Sequence, residues 1–342
     1  MTVGNGNGAG PSVPGFGDRL VRAVADRNSQ IVLGIDPDPA RLWPAAVEST
    51  SEARARLAWT LSDAEGAAGD VGGAAGSAPA APGVIARLES AAAVLAHCLA
   101  LIDAAGPACV AVKPQLACFE RLGAPGWLAL EHVCAHARAN GLLVLADGKR
   151  GDVPVTAAAY GQALVGDTPS PFGSVPGLEA DAFTANPLLG RDALEPLVKA
   201  ARARSAGVYV LVRTSNPGAA DLLDARLETG ERLWERLATL VHELGKGGGE
   251  LADVGAVTGA TEPEHLARLR ELMPRTPFLL PGIGAQGGEV GALAPAFAPG
   301  RAGGLVTASR SIANAHEQIG GPPPEAARAQ AERLRQQAWD LG

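Results

Sequence analysis

The hydrophobic positions of the chain fall into short runs that alternate with longer periodic segments. Eight short runs are rich in Val, Ile and Leu and apolar on both faces, as the buried strands of a parallel sheet are. These runs are residues 31–35, 109–112, 142–146, 182–185, 208–212, 254–258, 278–280 and 304–308. Helical periodicity covers residues 86–104, 126–140, 155–166, 189–204, 230–244, 262–273, 287–297 and 323–340.

This alternation predicts an α/β protein, a single-domain (β/α)8 TIM barrel, because each of the eight strands is followed by a helix. A doubly wound sheet is the alternative fold. Residues 1–17 and 62–83 are rich in Gly, Ala and Pro and lack the large apolar side chains that would offset the entropy of ordering. We therefore predict a disordered tail at 1–17 and a barrel domain over 18–342, with a low-complexity surface insertion at about 62–83.

Composition and charge narrow the class of protein. The 342 residues include 29 Lys and Arg against 36 Asp and Glu, a net charge of −7, and 47% are hydrophobic. An acidic chain without a basic block argues against a nucleic-acid partner. No apolar run approaches about 18 residues and the N-terminus does not resemble a signal peptide, so we predict no membrane association. Four cysteines in so long a chain do not make a disulfide scaffold, which favours the cytoplasm.

Ionisable residues end three consecutive predicted strands, at Asp36, Lys113 and Asp147. The third strand continues as the hexapeptide DGKRGD, which brings Lys149 and Asp152. Side chains two apart in a strand point the same way, so Asp147 and Lys149 are expected on one face. The carboxyl ends of barrel strands share one rim, where the chemistry of such barrels takes place. We expect the two lysines and the aspartates 147 and 152 to pair with one another there, because buried charges need partners.

A glycine-rich loop follows the seventh predicted strand. It contains G-x-G-x-x-G as Gly282, Gly284 and Gly287, but a dinucleotide site needs this motif early in the chain and an acidic residue about 20 positions later. Neither condition is met here. A phosphate site fits better, since barrels often bind phosphate at the loops after strands 7 and 8, and Arg310 ends the eighth strand. A guanidinium can hold two phosphate oxygens at once.

One histidine-rich segment resembles a metal motif at first sight. On a helix His132 and His136 share a face while Cys134 points away, and the sequence contains no second ligand cluster. We therefore predict no metal site.

These residues together resemble the orotidine 5′-phosphate decarboxylase family, and specifically its longer bacterial group. Residues 147–152 match the family's D-x-K-x-x-D motif, Lys113 precedes it, and the pair of Gln286 and Arg310 follows it. Segments of this kind occur in family order from about residue 18 to 320. The resemblance therefore covers nearly the whole predicted barrel.

The resemblance implies decarboxylation of orotidine 5′-phosphate to UMP and CO2, the last step of de novo pyrimidine nucleotide synthesis, without a cofactor. It implies that Asp36 and Lys113 hold the ribose hydroxyls. Asp147 would lie beside the substrate carboxylate, with Lys149 next to it as the acid. Asp152 would reach across a homodimer interface into the neighbouring active site.

The resemblance also implies how the rest of the nucleotide is bound. Ser215, or Thr214 beside it, would read the pyrimidine amide, and Asn186 would line the same pocket. The 5′-phosphate would be held by Gln286 and Arg310, with Gly284 and Gly287 in the same loop.

The chemistry of this reaction explains the choice of residue types. Loss of CO2 leaves a carbanion at C6 that the ring delocalises poorly, so the protein must supply about 20 kcal/mol by electrostatics and positioning. Two other functions are considered. A metal-dependent sugar-phosphate decarboxylase or aldolase of the same superfamily would carry a metal-binding acid where Lys113 stands. A non-catalytic barrel that binds a phosphorylated ligand would keep Gln286 and Arg310 but would not need the four charges.

Overall fold

The chain folds into a closed barrel of eight parallel strands with helices around it. The computed structural model describes residues 14–57, 82–247, 249–259, 263–282 and 290–342. Each barrel strand pairs with its two neighbours in a single closed ring, and every pairing within that ring is parallel. The prediction of a TIM barrel is confirmed.

The strands are numbered in chain order, and two of them lie outside the barrel. The barrel strands are β1 (Ile31–Ile35), β2 (Ala111–Pro114), β3 (Leu143–Arg150), β6 (Ala182–Ala185), β7 (Gly207–Arg213), β8 (Val254–Thr258), β9 (Phe278–Leu280) and β10 (Gly304–Ala308). The other two strands, β4 (Asp167–Ser170) and β5 (Gly173–Pro176), form a separate antiparallel hairpin. No strand was predicted over residues 167–176, because these residues show no alternating apolar pattern.

Helices connect the strands and cover the outside of the barrel. The α-helices with defined ends are Phe16–Arg27, Pro44–Glu48, Pro82–Ala105, Leu116–Glu120, Ala124–Ala139, Pro154–Leu164, Arg191–Ala203, Ala219–Leu223, Leu233–Leu244, Pro263–Leu272, Arg310–Ala313, His316–Ile319 and Pro323–Trp339. A further helix covers residues 50–57. Short 3-10 helices are Gly106–Ala108, Val290–Phe297 and Arg301–Gly303. The predicted helix over 287–297 is therefore a 3-10 helix where it is described, and Pro295 within it cannot donate a backbone hydrogen bond.

The first helix closes the bottom of the barrel. It begins at Phe16, inside the predicted tail of residues 1–17, of which residues 1–13 lie outside the described part of the chain. Phe16 is buried and contacts Tyr209 of β7 edge to face, with ring centroids 5.9 Å apart. These two rings belong to an apolar cluster that fills the barrel interior and includes Leu145 and Leu305. Apolar side chains thus fill the end of the barrel at which the first helix packs, which leaves the opposite end available for a site.

The helix after the predicted insertion is unusually apolar. Gly83–Ala108 is long and apolar enough to cross a membrane by length and composition, since an 18-residue window within it has a mean hydropathy of 1.6. The helix contains Arg87, Glu89 and Asp103, and its longest stretch without a charged residue, 90–102, has 13 residues, fewer than the 18 of the sequence expectation. In the structure the helix packs between Ala124–Ala139 and Pro323–Trp339, and Leu95 and Cys98 are buried in the core. A core helix of a barrel satisfies the same test. Residues 58–81, most of the predicted insertion, lie outside the described residues.

Candidate active site

The candidate site lies at the carboxyl ends of the barrel strands, where the sequence predicts it. Asp36 follows β1, Lys113 lies in β2, and Asp147 and Lys149 lie near the end of β3. Gln115, just after β2, forms a parallel bridge with Asp147, so the ends of the second and third strands stay in register at the rim. The sheet itself therefore holds these side chains at one end of the barrel.

Asp147 lies between two lysines. Its Oδ2 is 2.5 Å from Nζ of Lys113 and its Oδ1 is 2.6 Å from Nζ of Lys149. The side chains of Asp147 and Lys113 are each 7% exposed, whereas that of Lys149 is 42% exposed. The inner lysine is therefore tied to the carboxylate inside the protein, while the outer lysine remains open to the space above it.

The pKa values of this pair reflect a balance between burial and charge. Burial alone would raise the pKa of Asp147, but the ammonium groups of Lys113 and Lys149 lower it to about 2. Burial alone would lower the pKa of Lys113, but the carboxylates of Asp147 and Asp36 raise it above its usual value. Both groups are charged at neutral pH, as a buried ion pair with well-placed partners can be.

Two neutral side chains complete the shell around Asp147. Gln115 donates from Nε2 to Oδ2 at 3.2 Å, and Thr184 of β6 donates from Oγ1 to Oδ1 at 2.8 Å. Each carboxylate oxygen thus accepts one hydrogen bond from an ammonium group and one from a neutral donor. Neither residue was predicted to have a role, although a threonine inside the otherwise apolar strand AFTA marks a polar position that could have indicated the site.

The charged group forms one side of a cavity of about 210 Å³ at the top of the barrel. Its apolar lining consists of Leu211, Val257, Leu279 and Pro281. Thr214 and Ser215 both line this cavity, so the structure leaves open which of them would read a pyrimidine. Asn186 is not among its lining residues; its Oδ1 accepts the backbone N–H of Leu188 at 3.0 Å.

The predicted phosphate side is only partly described. Asp36 and Arg310 line a second cavity of about 100 Å³ between the ends of β1 and β10. Gly34 and Ser309 lie so close together there that a Cβ at Gly34 would overlap the Ser309 side chain. Gln286, Gly284 and Gly287 lie outside the described residues.

Asp152 does not join the charged group within this chain. Its Oδ1 accepts the N–H of Val153 at 2.7 Å, and among the described residues it forms no ion pair with a lysine. Of the four charged residues predicted to pair with one another, only Lys113, Asp147 and Lys149 therefore do so within one chain. Gly151 beside it packs against the backbone of Asn186, so the loops after β3 and β6 lie side by side.

The histidines of the rejected metal motif lie on the helix Ala124–Ala139. His136 is 2.6 Å from Asp103 through Nε2 and Oδ1, and Cys134 is buried in the core. In the described part of the chain, His, Cys, Asp and Glu side chains form no group of three with the geometry of a metal site.

Comparison with known proteins identifies the family. The model of the "Orotidine 5'-phosphate decarboxylase / HUMPS family" matches residues 88–321. The chain belongs to this family. A protein of Deinococcus radiodurans named orotidine 5′-phosphate decarboxylase is 47% identical over 236 residues, which are 69% of this chain and 83% of that protein. One of the same name from Roseiflexus castenholzii is 38% identical over 94% of this chain and 96% of its own length.

A solved structure supports the same assignment for the fold. A Streptomyces avermitilis protein described as an orotidine 5′-phosphate decarboxylase superposes with a TM-score of 0.70 at 30% identity, over 98% of this chain and 99% of that one. A protein of the same name from Haloarcula marismortui matches at 38% identity over 88% of each chain. These comparisons do not distinguish subgroups of the family, so assignment to the longer bacterial group stays a prediction.

Proposed function

We propose that this chain converts orotidine 5′-phosphate to UMP and CO2 without a cofactor, as the last step of de novo pyrimidine nucleotide synthesis. The observation that carries the proposal is Asp147 held between Lys113 and Lys149 beside a cavity at the mouth of a barrel of the orotidine 5′-phosphate decarboxylase family. A carboxylate that stays charged although it is buried calls for a functional explanation, and repulsion of the substrate carboxylate is one such explanation.

The reaction follows from the charges of the site. The C6–carboxylate bond breaks, its electron pair stays on C6, and CO2 leaves. Asp147 destabilises the bound substrate carboxylate, and the ammonium of Lys149 stabilises the negative charge that develops on C6. Lys149 then gives a proton to C6 and regains one from solvent, which its 42% exposed side chain permits.

The remaining contacts hold the substrate in this pose. Asp36 and Lys113 bind the ribose hydroxyls, and Ser215 or Thr214 reads the pyrimidine. Arg310 holds the 5′-phosphate, together with Gln286 and the loop glycines 284 and 287. The location of Asp36 and Arg310 in one cavity at the same rim supports this arrangement. Binding of the distant phosphate helps to offset the unfavourable contact at the reacting carboxylate.

We further propose a homodimer in which Asp152 enters the active site of the neighbouring subunit. Two observations support it. Among the described residues Asp152 pairs with no lysine, and large exposed apolar side chains lie near it in sequence after β3 and on the loop after β6, namely Val153, Val155, Leu188 and Leu189. Apolar surface of this kind, rimmed by polar residues, marks protein interfaces. We also propose a cytoplasmic location, which the free thiols of all four cysteines support.

The residues present do not favour the alternative of a metal-dependent enzyme. The acid of Asp147 is already neutralised by two ammonium groups at 2.5 and 2.6 Å, and these would repel a divalent cation. The alternative of a non-catalytic phosphate-binding barrel does not explain why Lys149 is paired with a buried carboxylate and yet open to the cavity.

Turnover of substrate labelled at the carboxylate tests the proposal, with release of labelled CO2 and formation of UMP as the readout. Lys149→Ala is the matched variant: we expect it to lose turnover by at least about 10²-fold because the proton donor is gone, and to bind UMP still. Release of CO2 by this variant at the wild-type rate would contradict the role of Lys149 as the acid.

A further inference from the structure

Lys149 occupies a backbone conformation that residues other than glycine rarely adopt. Its φ is 48°, in the left-handed region. The cause is a bulge in β3: Ala146 pairs with Phe183 and Arg150 pairs with Ala185, so four steps along β3 oppose two steps along β6. A non-glycine residue in this conformation is strained and persists only where its surroundings impose it.

Thr184 supplies the contacts at this bulge. Its hydroxyl group accepts a hydrogen bond from the backbone N–H of Lys149 at 2.9 Å and donates one to Oδ1 of Asp147 at 2.8 Å. The same Oδ1 also accepts a hydrogen bond from Nζ of Lys149 at 2.6 Å. The three bonds close a ring through the backbone of the lysine, the threonine hydroxyl and the carboxylate. Thr184 is 1% exposed and β-branched, so its χ1 has little freedom.

We propose that Thr184 is a positioning residue for the decarboxylation, an inference that rests on the proposed function. One hydroxyl fixes both the left-handed turn at Lys149 and the rotation of the Asp147 carboxylate. Without it the bulge relaxes and the carboxylate turns, so the ammonium is no longer held at the same point of the cavity. Proton transfer needs a heavy-atom distance of about 3 Å, and a misplacement of about 1 Å can cost about 10²-fold in rate.

This role differs measurably from a merely structural one. A threonine that only fastens β3 to β6 would change stability, and with it substrate binding and turnover together. A threonine that aims the acid affects the chemical step, because the groups that bind ribose and phosphate lie on other strands. We therefore expect kcat to fall while KM stays near its wild-type value.

Three substitutions separate these cases. Thr184→Val keeps the size and branching of the side chain and removes both hydrogen bonds. Thr184→Ser keeps the hydroxyl and serves as the rescue. Thr258→Val is the matched control, because Thr258 is also fully buried at the end of a barrel strand, but its hydroxyl has no hydrogen-bond partner among the described residues.

The experiment measures kcat, KM and the dissociation constant of UMP for the full-length wild type and each variant. We expect Thr184→Val to lower kcat by about 10- to 100-fold with KM and UMP binding within about threefold. Thr184→Ser and Thr258→Val should stay within about threefold of the wild-type kcat. If the valine variant does not fold, Thr184→Ala, which also lacks the hydroxyl and adds no bulk, is expected to give the same separation of kcat from KM.

Several outcomes would overturn the inference. A valine or alanine variant with the wild-type kcat would do so, as would a serine variant as slow as valine, or a parallel change in KM and UMP binding. Failure of the wild type itself to release CO2 contradicts the proposed function. An active wild type with an undiminished Thr184→Val variant contradicts only the role of Thr184.

Discussion

Replacing Asp147 with asparagine tests the electrostatic account of the site. The variant keeps the shape of the side chain but removes the charge shared by Lys113 and Lys149. Two consequences are expected. Turnover should fall because the repulsion of the substrate carboxylate is lost, and the free energy of unfolding should fall because the 7% exposed side chain of Lys113 loses its counter-charge.

The pKa of Asp147 sets the magnitude of the stability loss. Burial opposes the charged form, yet the two lysines lower the pKa from 3.8 to about 2. At about 1.4 kcal/mol per pH unit, this difference contributes about 2 kcal/mol to the free energy of unfolding at neutral pH. We expect Asp147→Asn to lose about 2–4 kcal/mol, since breaking a buried pair also leaves one charge without a partner.

The same pKa gives the sign of the pH dependence. The folded-state pKa lies below the unfolded value, so this stabilisation is complete at pH values well above 3.8 and is lost as the pH falls from about 4 to about 2. About 1 kcal/mol of it is gone at pH 3. The difference in stability between the wild type and Asp147→Asn should therefore narrow by that amount between pH 5 and pH 3.

Urea unfolding followed by tryptophan fluorescence measures these differences. The control is the double variant Lys113→Met/Asp147→Asn, which removes the buried ammonium as well and should recover part of the loss at neutral pH. A single variant as stable as the wild type at pH 7 would refute the reasoning. A difference that stays constant between pH 5 and pH 3 would refute it as well.

Further predictions concern the interface and the phosphate side. If Asp152 acts across a dimer interface, a mixture of the inactive variants Lys149→Ala and Asp152→Ala should regain part of the wild-type turnover; no recovery despite demonstrated subunit exchange would count against a shared site. Gly34→Ala should cost about 1–3 kcal/mol of stability, because its Cβ would overlap Ser309. Gly34→Ala should also raise KM for the nucleotide more than it lowers kcat, because Arg310, which holds the 5′-phosphate in this proposal, directly follows Ser309. An unchanged KM in steady-state kinetics would contradict this.

The barrel was predictable because its strands are apolar on both faces. The runs 254–258 and 304–308 coincide with β8 and β10, since only a strand covered on both sides can afford such continuous apolar character. The hairpin of β4 and β5 was not predictable in this way. Its residues are mostly exposed and form a local ladder without an apolar pattern, so no periodic signal marks it.

The site was predictable where charge and sequence spacing carry it. Asp147 and Lys149 meet as their spacing indicates, although through a bulge rather than a regular strand. The contribution of Thr184 depends on the register between β3 and β6, which is set by tertiary pairing and cannot be derived from either strand alone. The position of Asp152 apart from the lysines likewise depends on tertiary packing, because Gly151 beside it contacts the backbone of Asn186.

Decarboxylation under metal-free conditions tests the central claim most directly. The purified full-length chain, treated with excess EDTA, is given orotidine 5′-phosphate, and UMP and CO2 are both quantified. The account predicts equal amounts of the two products at a rate that added divalent cations do not change, because Lys113, Asp147 and Lys149 supply the charges themselves. Absence of turnover, or turnover that depends on added metal, would contradict it.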